Sequence, residues 1–222
     1  FISYSHKDSA WGAWIHAGLE RYRVPRELIG RETQFGQITA SLRPIFRDRF
    51  DLSASHSLDA RLTAALKDSG HLIVLCSPDS AKSPAVNEEI RLFKADGKGD
   101  RILPVIVGGE PHHPERECFP RALLCKIDEF GRLTSERDAE PIAADARPEA
   151  DGRDLAKLKL VGGLLGVELD EIRRRDLAEQ QRQKRVWQVV SAAMSLLAIA
   201  AAASGIFWHH EYTAKNALLD RT

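Results

Sequence analysis

The chain has 222 residues, 43% hydrophobic and 29% charged, which is enough for one cored domain with an appendage and unlike the composition of a disordered segment. Lysine plus arginine equals aspartate plus glutamate, 32 each, so no net charge draws the chain to nucleic acid or another polyanion. Three cysteines, Cys76, Cys118 and Cys125, are odd in number and lack C-x-x-C spacing, which argues against a disulfide scaffold or a cysteine metal site and for a reducing compartment.

Phe1–Ser5 reads as a short strand of aromatic and β-branched residues. His6–Ser9 is a polar loop in which Asp8 or Ser9 can cap a helix over about 10–22, with an apolar face of Trp11, Trp14, Ile15, Leu19 and Tyr22. Pro25 stops that helix, 26–42 forms a long polar loop, and Pro44-Ile45-Phe46 is the core of a second strand. A loop over 48–57 leads to a helix marked by Leu58, Leu62 and Leu66 and ended by Gly70. His71–Cys76 is apolar without alternation, the pattern of a parallel strand covered on both faces. A loop over 77–83 precedes a helix over 86–95, and 102–107 is a further buried strand, in which Pro104 predicts either a place near an edge or a start after the proline. The proline-rich stretch 110–151 reads as loop with one short strand near 123–127, and 152–165 is helical. Strands and helices alternate, so the expected fold is α/β, a central parallel sheet flanked by helices.

Val186–Trp208 carries no charged side chain over 23 residues, and an α-helix needs about 20 apolar residues to cross a bilayer. Trp187 and Trp208 stand at its ends, where indole rings favour the interface. Arg173, Arg174, Arg175, Arg182, Lys184 and Arg185 precede it, whereas only Lys215 and Arg221 follow. The positive-inside bias predicts a single-pass membrane protein with its N-terminal part cytoplasmic. The expected organisation is a domain over 1–167, a charged helical juxtamembrane linker over 168–185, a transmembrane helix over 186–208 and the start of an extracytoplasmic region over 209–222. The chain opens at Phe1 inside a strand and stops at Thr222 in a polar stretch, and so reads as a piece of a longer protein.

No Walker loop, G-x-G-x-x-G or G-x-S-x-G is present, and His112-His113 lacks the further ligands that a metal site needs. Three segments, in order, do carry a resemblance: Phe1-Ile2-Ser3-Tyr4-Ser5 with Asp8; Arg43-Pro44-Ile45-Phe46-Arg47-Asp48 running into the loop to Ser57; and Leu72–Pro78 followed by Ser83-Pro84-Ala85-Val86-Asn87-Glu88-Glu89-Ile90. Together they resemble the boxes of bacterial TIR (Toll/interleukin-1 receptor) domains over about residues 1–165. The resemblance implies a flavodoxin-like sheet. It also implies cleavage of NAD between nicotinamide and ribose, with NAD as substrate, no cofactor, and activation by self-association through the TIR domain.

In the resembling enzymes the catalytic glutamate follows a tryptophan by four positions. Ala85 stands at the tryptophan position, which maps the glutamate onto Glu89. A carboxylate suits the chemistry, because the ribose gains oxocarbenium character as nicotinamide leaves. The resemblance also carries Ser5, His6 and Ser53 over as residues that face NAD, although NAD-cleaving relatives have arginines where this chain has Ser5 and His6. Two other readings stand beside the enzyme. One is a non-enzymatic signalling or adaptor module acting through TIR–TIR contacts, consistent with Ser5, His6 and Ala85. The other is an unrelated flavodoxin-like domain, which explains the element order but not the three segments together.

Overall fold

A computed structural model describes residues 1–47 and 58–174, together with 187, 188, 191 and 194. The chain divides into a compact unit, Phe1–Arg173, and a second unit, Arg174–Thr222. In the second, residues 187, 188, 191 and 194 are helical with exposed side chains. The rest of the predicted membrane segment lies outside the described residues, as does the loop over 48–57 with Ser53. Among the described residues no helix is long and apolar enough to cross a membrane.

The first unit runs β1 (Ile2–Ser3), α1 (Ser9–Glu20), β2 (Glu32–Thr33), β3 (Gly36–Gln37), α2 (Leu58–Asp68), β4 (Leu72–Cys76), α3 (Pro78–Lys82), α4 (Pro84–Ala95), β5 (Ile102–Ile106), α5 (Arg121–Leu124), β6 (Cys125–Ile127), β7 (Leu133–Arg137), β8 (Ala144–Asp145) and α6 (Gly152–Leu165). The central sheet has the order β1-β4-β5-β8, and every pair in it is parallel. The expected strand at 44–46 contracts to one parallel bridge between Ile2 and Arg47, with the Ile2 amide donating to the Phe46 carbonyl at 2.9 Å. Pro44 has no amide hydrogen with which to extend that ladder. The bridge still sets this segment outside β1, so β1 lies between it and β4, as in a flavodoxin-like sheet.

Side-chain alternation divides the interior in two. Ile2, Tyr4, Ile73, Leu75, Val105 and Val107 face one core with Ile15 and Leu19 of α1 and Leu160 and Val161 of α6. Phe1, Leu72, Val74, Cys76 and Ile106 face the other, with Leu66 of α2 and Val86, Ile90 and Phe93 of α4. Both faces of the sheet are therefore covered, as the unbroken apolar runs predict.

Several elements differ from the sequence reading. Pro104 belongs to an internal strand, not an edge one. β8 pairs with Val105 and Ile106, so among the described residues the first half of β5 has only β4 beside it, and the missing proline amide is tolerated there. The 26–42 loop contains the β2–β3 hairpin, and 77–83 contains α3, started by Ser77, whose hydroxyl accepts from the Ser80 amide. The strand near 123–127 is realised as β6, paired antiparallel with β7. Asp8 stands at the head of α1 but makes no side-chain cap. The core also extends past α6, where Gly166 turns the chain in a left-handed conformation (φ 64°) and Val167 and Ile172 are buried.

Candidate functional site

α4 begins with Ser83, whose hydroxyl accepts from the Val86 amide, and with Pro84 in its first turn. From there Val86, Ile90 and Phe93 recur at four- and three-residue steps and are buried against the sheet. Glu89 falls in the same stripe and is 9% exposed. Glu88, one position earlier and about 100° around the helix, points outward and pairs with Arg91 at 2.6 Å. The Arg91 guanidinium beside Glu88 holds its carboxyl below the usual range. Two adjacent glutamates thus have opposite surroundings, and the inward one is Glu89. Its carboxylate Oε2 accepts from the Ser3 hydroxyl at 2.5 Å, and Ser3 is fully buried.

A second group of hydroxyls lies where β1 and β4 end. The Asp8 carboxylate accepts from Ser77 Oγ at 2.6 Å and from Ser80 Oγ at 3.2 Å. Ser80 Oγ also accepts from the Ser5 amide at 3.2 Å. This is why Asp8 does not cap α1: its oxygens are turned to α3. Lys7 reaches Asp79 at 2.7 Å across the same seam. Gly109, with φ 76°, packs against the start of α3, where a Cβ would lie 2.7 Å from the Arg116 carbonyl and 2.8 Å from Pro78. The loop after β1, the start of α3 and the end of β5 are thereby held in one arrangement.

Of the residues the sequence singles out, Ser5 joins this seam through its backbone amide. His6 is exposed in the short turn that follows, and Ser53 lies outside the described residues. Ser3, Ser77 and Ser80 are not singled out by sequence. The signal for Ser3 is its polarity within a buried strand, and its partner lies 86 positions away. The signal for Glu89 is its place within the 86, 90, 93 stripe. Ala85 is exposed in the first turn of α4, so no aromatic wall stands at that position.

The other reactive groups have ordinary partners. His112 Nε2 lies 2.9 Å from Glu140, while His113 Nδ1 accepts from the amides of Glu115 and Arg116. Cys76, Cys118 and Cys125 are free and buried. Burial raises the Cys76 thiol well above its usual range and pushes Cys118 up to about 12, so neither is a thiolate near neutral pH. Among the described residues, no group of three or more His, Cys, Asp or Glu side chains is arranged to hold a metal ion. A cavity of about 690 Å³ opens at the opposite end of the sheet, lined by Phe35, Leu42, Ile45 and His71 among others. Burial, and after it the charge of Arg101, lowers His71 to about 4, so the imidazole is neutral there. That cavity contains no carboxylate of the Glu89 group.

A family model described as the TIR domain matches residues 1–143. The chain is also similar to the NAD(+) hydrolase ApTIR of Actinoplanes sp., with 29% identity over 238 residues, an alignment that takes in 100% of this chain and 31% of that protein. The chain thus spans about a third of the length of the curated relative that it matches. No solved structure matches. The parallel sheet, its flanking helices and the match over residues 1–143 converge on one conclusion: this chain belongs to the TIR-domain family.

Proposed function

We propose that this TIR domain cleaves NAD at the bond between nicotinamide and ribose, with Glu89 as the catalytic carboxylate. The observation that carries the reading is the inward, tethered carboxylate of Glu89, set beside an outward Glu88 that is neutralised by Arg91. The similarity to an NAD(+) hydrolase supports it. In the reaction the C1′–N bond breaks and its electron pair returns to the pyridinium nitrogen, so nicotinamide leaves neutral. The ribosyl carbon becomes cationic, and the Glu89 carboxylate stabilises it. Attack by water forms the new C1′–O bond and releases a proton. Ser5 and His6 form the rim that meets the nucleotide, and Ser53 is a further NAD-facing residue carried by the 48–57 segment.

Incubation of the chain with NAD at high protein concentration, followed by chromatography of nicotinamide, tests the reading. The parent releases nicotinamide, and Glu89→Gln reduces the rate by at least about 100-fold with an unchanged melting temperature. Equal rates in the two proteins would remove Glu89 from the chemistry. The second reading, a module that signals through TIR–TIR contact alone, is favoured by the exposed Ala85. Its signature is concentration-dependent assembly with no nicotinamide released. For the whole protein we propose a membrane-tethered effector, anchored through 186–208 with the TIR domain cytoplasmic. The support is the uncharged stretch and the basic residues before it.

A further inference from the structure

Ser3 occupies a position that packing alone would give to an apolar residue. Phe1 and Ser3 share one face of the first strand segment, while Ile2 and Tyr4 face the other core. The face of Ser3 is otherwise built of Val74, Cys76, Val86 and Ile90, all nearly or fully buried. A hydroxyl shut away from water on such a face disfavours folding unless it is hydrogen-bonded. Serine hydroxyls often meet that need on backbone groups nearby in sequence. Ser3 meets it on Glu89, across 86 positions of sequence.

In this bond the Ser3 hydroxyl donates and the Glu89 Oε2 accepts. A glutamate has three side-chain torsions, and a donor on a neighbouring strand restricts where its carboxyl can lie. Ser3 is such a donor on a fixed frame, because β1 is paired in register with β4 through Ile2 and Ile73 and through Ser3 and Val74.

We propose that Ser3 is a positioning residue for NAD cleavage: its hydroxyl, donated to Glu89 Oε2, holds the carboxylate in the orientation that the ribosyl cation meets. This rests on the reading of Glu89 given above. Ser3 acts through Glu89 and does not itself touch the nucleotide. The Asp8, Ser77 and Ser80 seam has another task, joining the loop after β1 to the start of α3.

Two variants of the full chain test it, Ser3→Ala and Ser3→Thr. Alanine keeps the strand and removes the donor, whereas threonine keeps the hydroxyl and suits a strand. Nicotinamide release by Ser3→Ala should fall about 10- to 100-fold in kcat, with KM within about threefold of the parent, since a misoriented group loses rate before binding. Ser3→Thr should restore most of kcat. Both should fold, with Ser3→Ala melting somewhat below the parent because the Glu89 carboxyl loses a buried donor, and Ser3→Thr closer to it. Carbon-13 spectra of glutamate-δ-labelled protein give a readout independent of turnover. The Glu89 carboxyl resonance, identified by its loss in Glu89→Gln, should move in Ser3→Ala and return in Ser3→Thr. An unchanged kcat in Ser3→Ala overturns the proposal, as does a Glu89 resonance that stays in place. Should the parent release no nicotinamide, it is the NAD reading that fails; a displaced resonance would then still uphold the tether, and an unmoved one would overturn it.

Discussion

Glu88 and Glu89 show how far one helical step separates two identical side chains. Glu88 is about half exposed and forms an i,i+3 pair with Arg91, an arrangement that contributes little to stability in water. Replacing it by glutamine should change unfolding free energy by less than about 0.5 kcal/mol. The same variant should leave nicotinamide release within twofold of the parent; a large loss in Glu88→Gln would mean that the acidic pair acts as a unit. Sequence alone makes Glu89 an ordinary helix residue, and the family pattern around Ala85 is what raises it to a candidate. The apolar residues 86, 90 and 93 already place position 89 on the inner face, so its burial was open to inspection in the sequence. The donor was not. Ser3 sits in a five-residue run that reads only as strand, and no local rule connects it to a helix 86 positions later.

At the scale of elements, the long apolar strands and amphipathic helices were legible, because periodicity reports them directly. The short pieces were not. β8 comprises only Ala144 and Asp145, too short for any pattern, and it is held by what surrounds it. The Arg147 guanidinium binds Asp145 at 2.6 Å and donates to the Gly109 carbonyl at 2.7 Å, joining the ends of β5 and β8. Burial by itself would raise the Asp145 carboxyl, but its hydrogen bonds with Arg147 outweigh that and hold it below the usual 3.8. The resulting stabilisation is complete above pH 3.8 and is lost as the pH falls through the lower value of the folded state. Asp145→Asn should therefore cost about 1–2 kcal/mol near neutral pH. In urea melts the gap from the parent should close as the pH drops below that of free aspartate; a gap that persists there would mean that packing, not charge, is what the asparagine disturbs. Pro104 illustrates the converse limit. The rule that proline avoids central strands is sound, but it applies to each hydrogen-bonded edge, and β8 leaves that edge of β5 open at residue 104.

At the scale of the whole molecule, the alternation of strands and helices was sufficient to give the parallel sheet and its two covered faces. The proposed anchor is a separate matter, carried by composition over 186–208. Expressed in bacteria, the full chain should stay with membranes through alkaline carbonate extraction, while a chain ending at residue 185 should be released; extraction of both would remove the anchor. The two cores described above also give β1 a property beyond packing. Because Ile2 and Tyr4 belong to one interior and Phe1 and Ser3 to the other, sliding β1 by one residue against β4 would exchange the two sets. Glu89 would then face an aliphatic or aromatic side chain in place of a hydroxyl. The bond thus depends on strand phase: the Ser3 hydroxyl meets Glu89 in the register in which Ile2 pairs with Ile73 and Ser3 with Val74, and the proposed positioning role would be lost with that register.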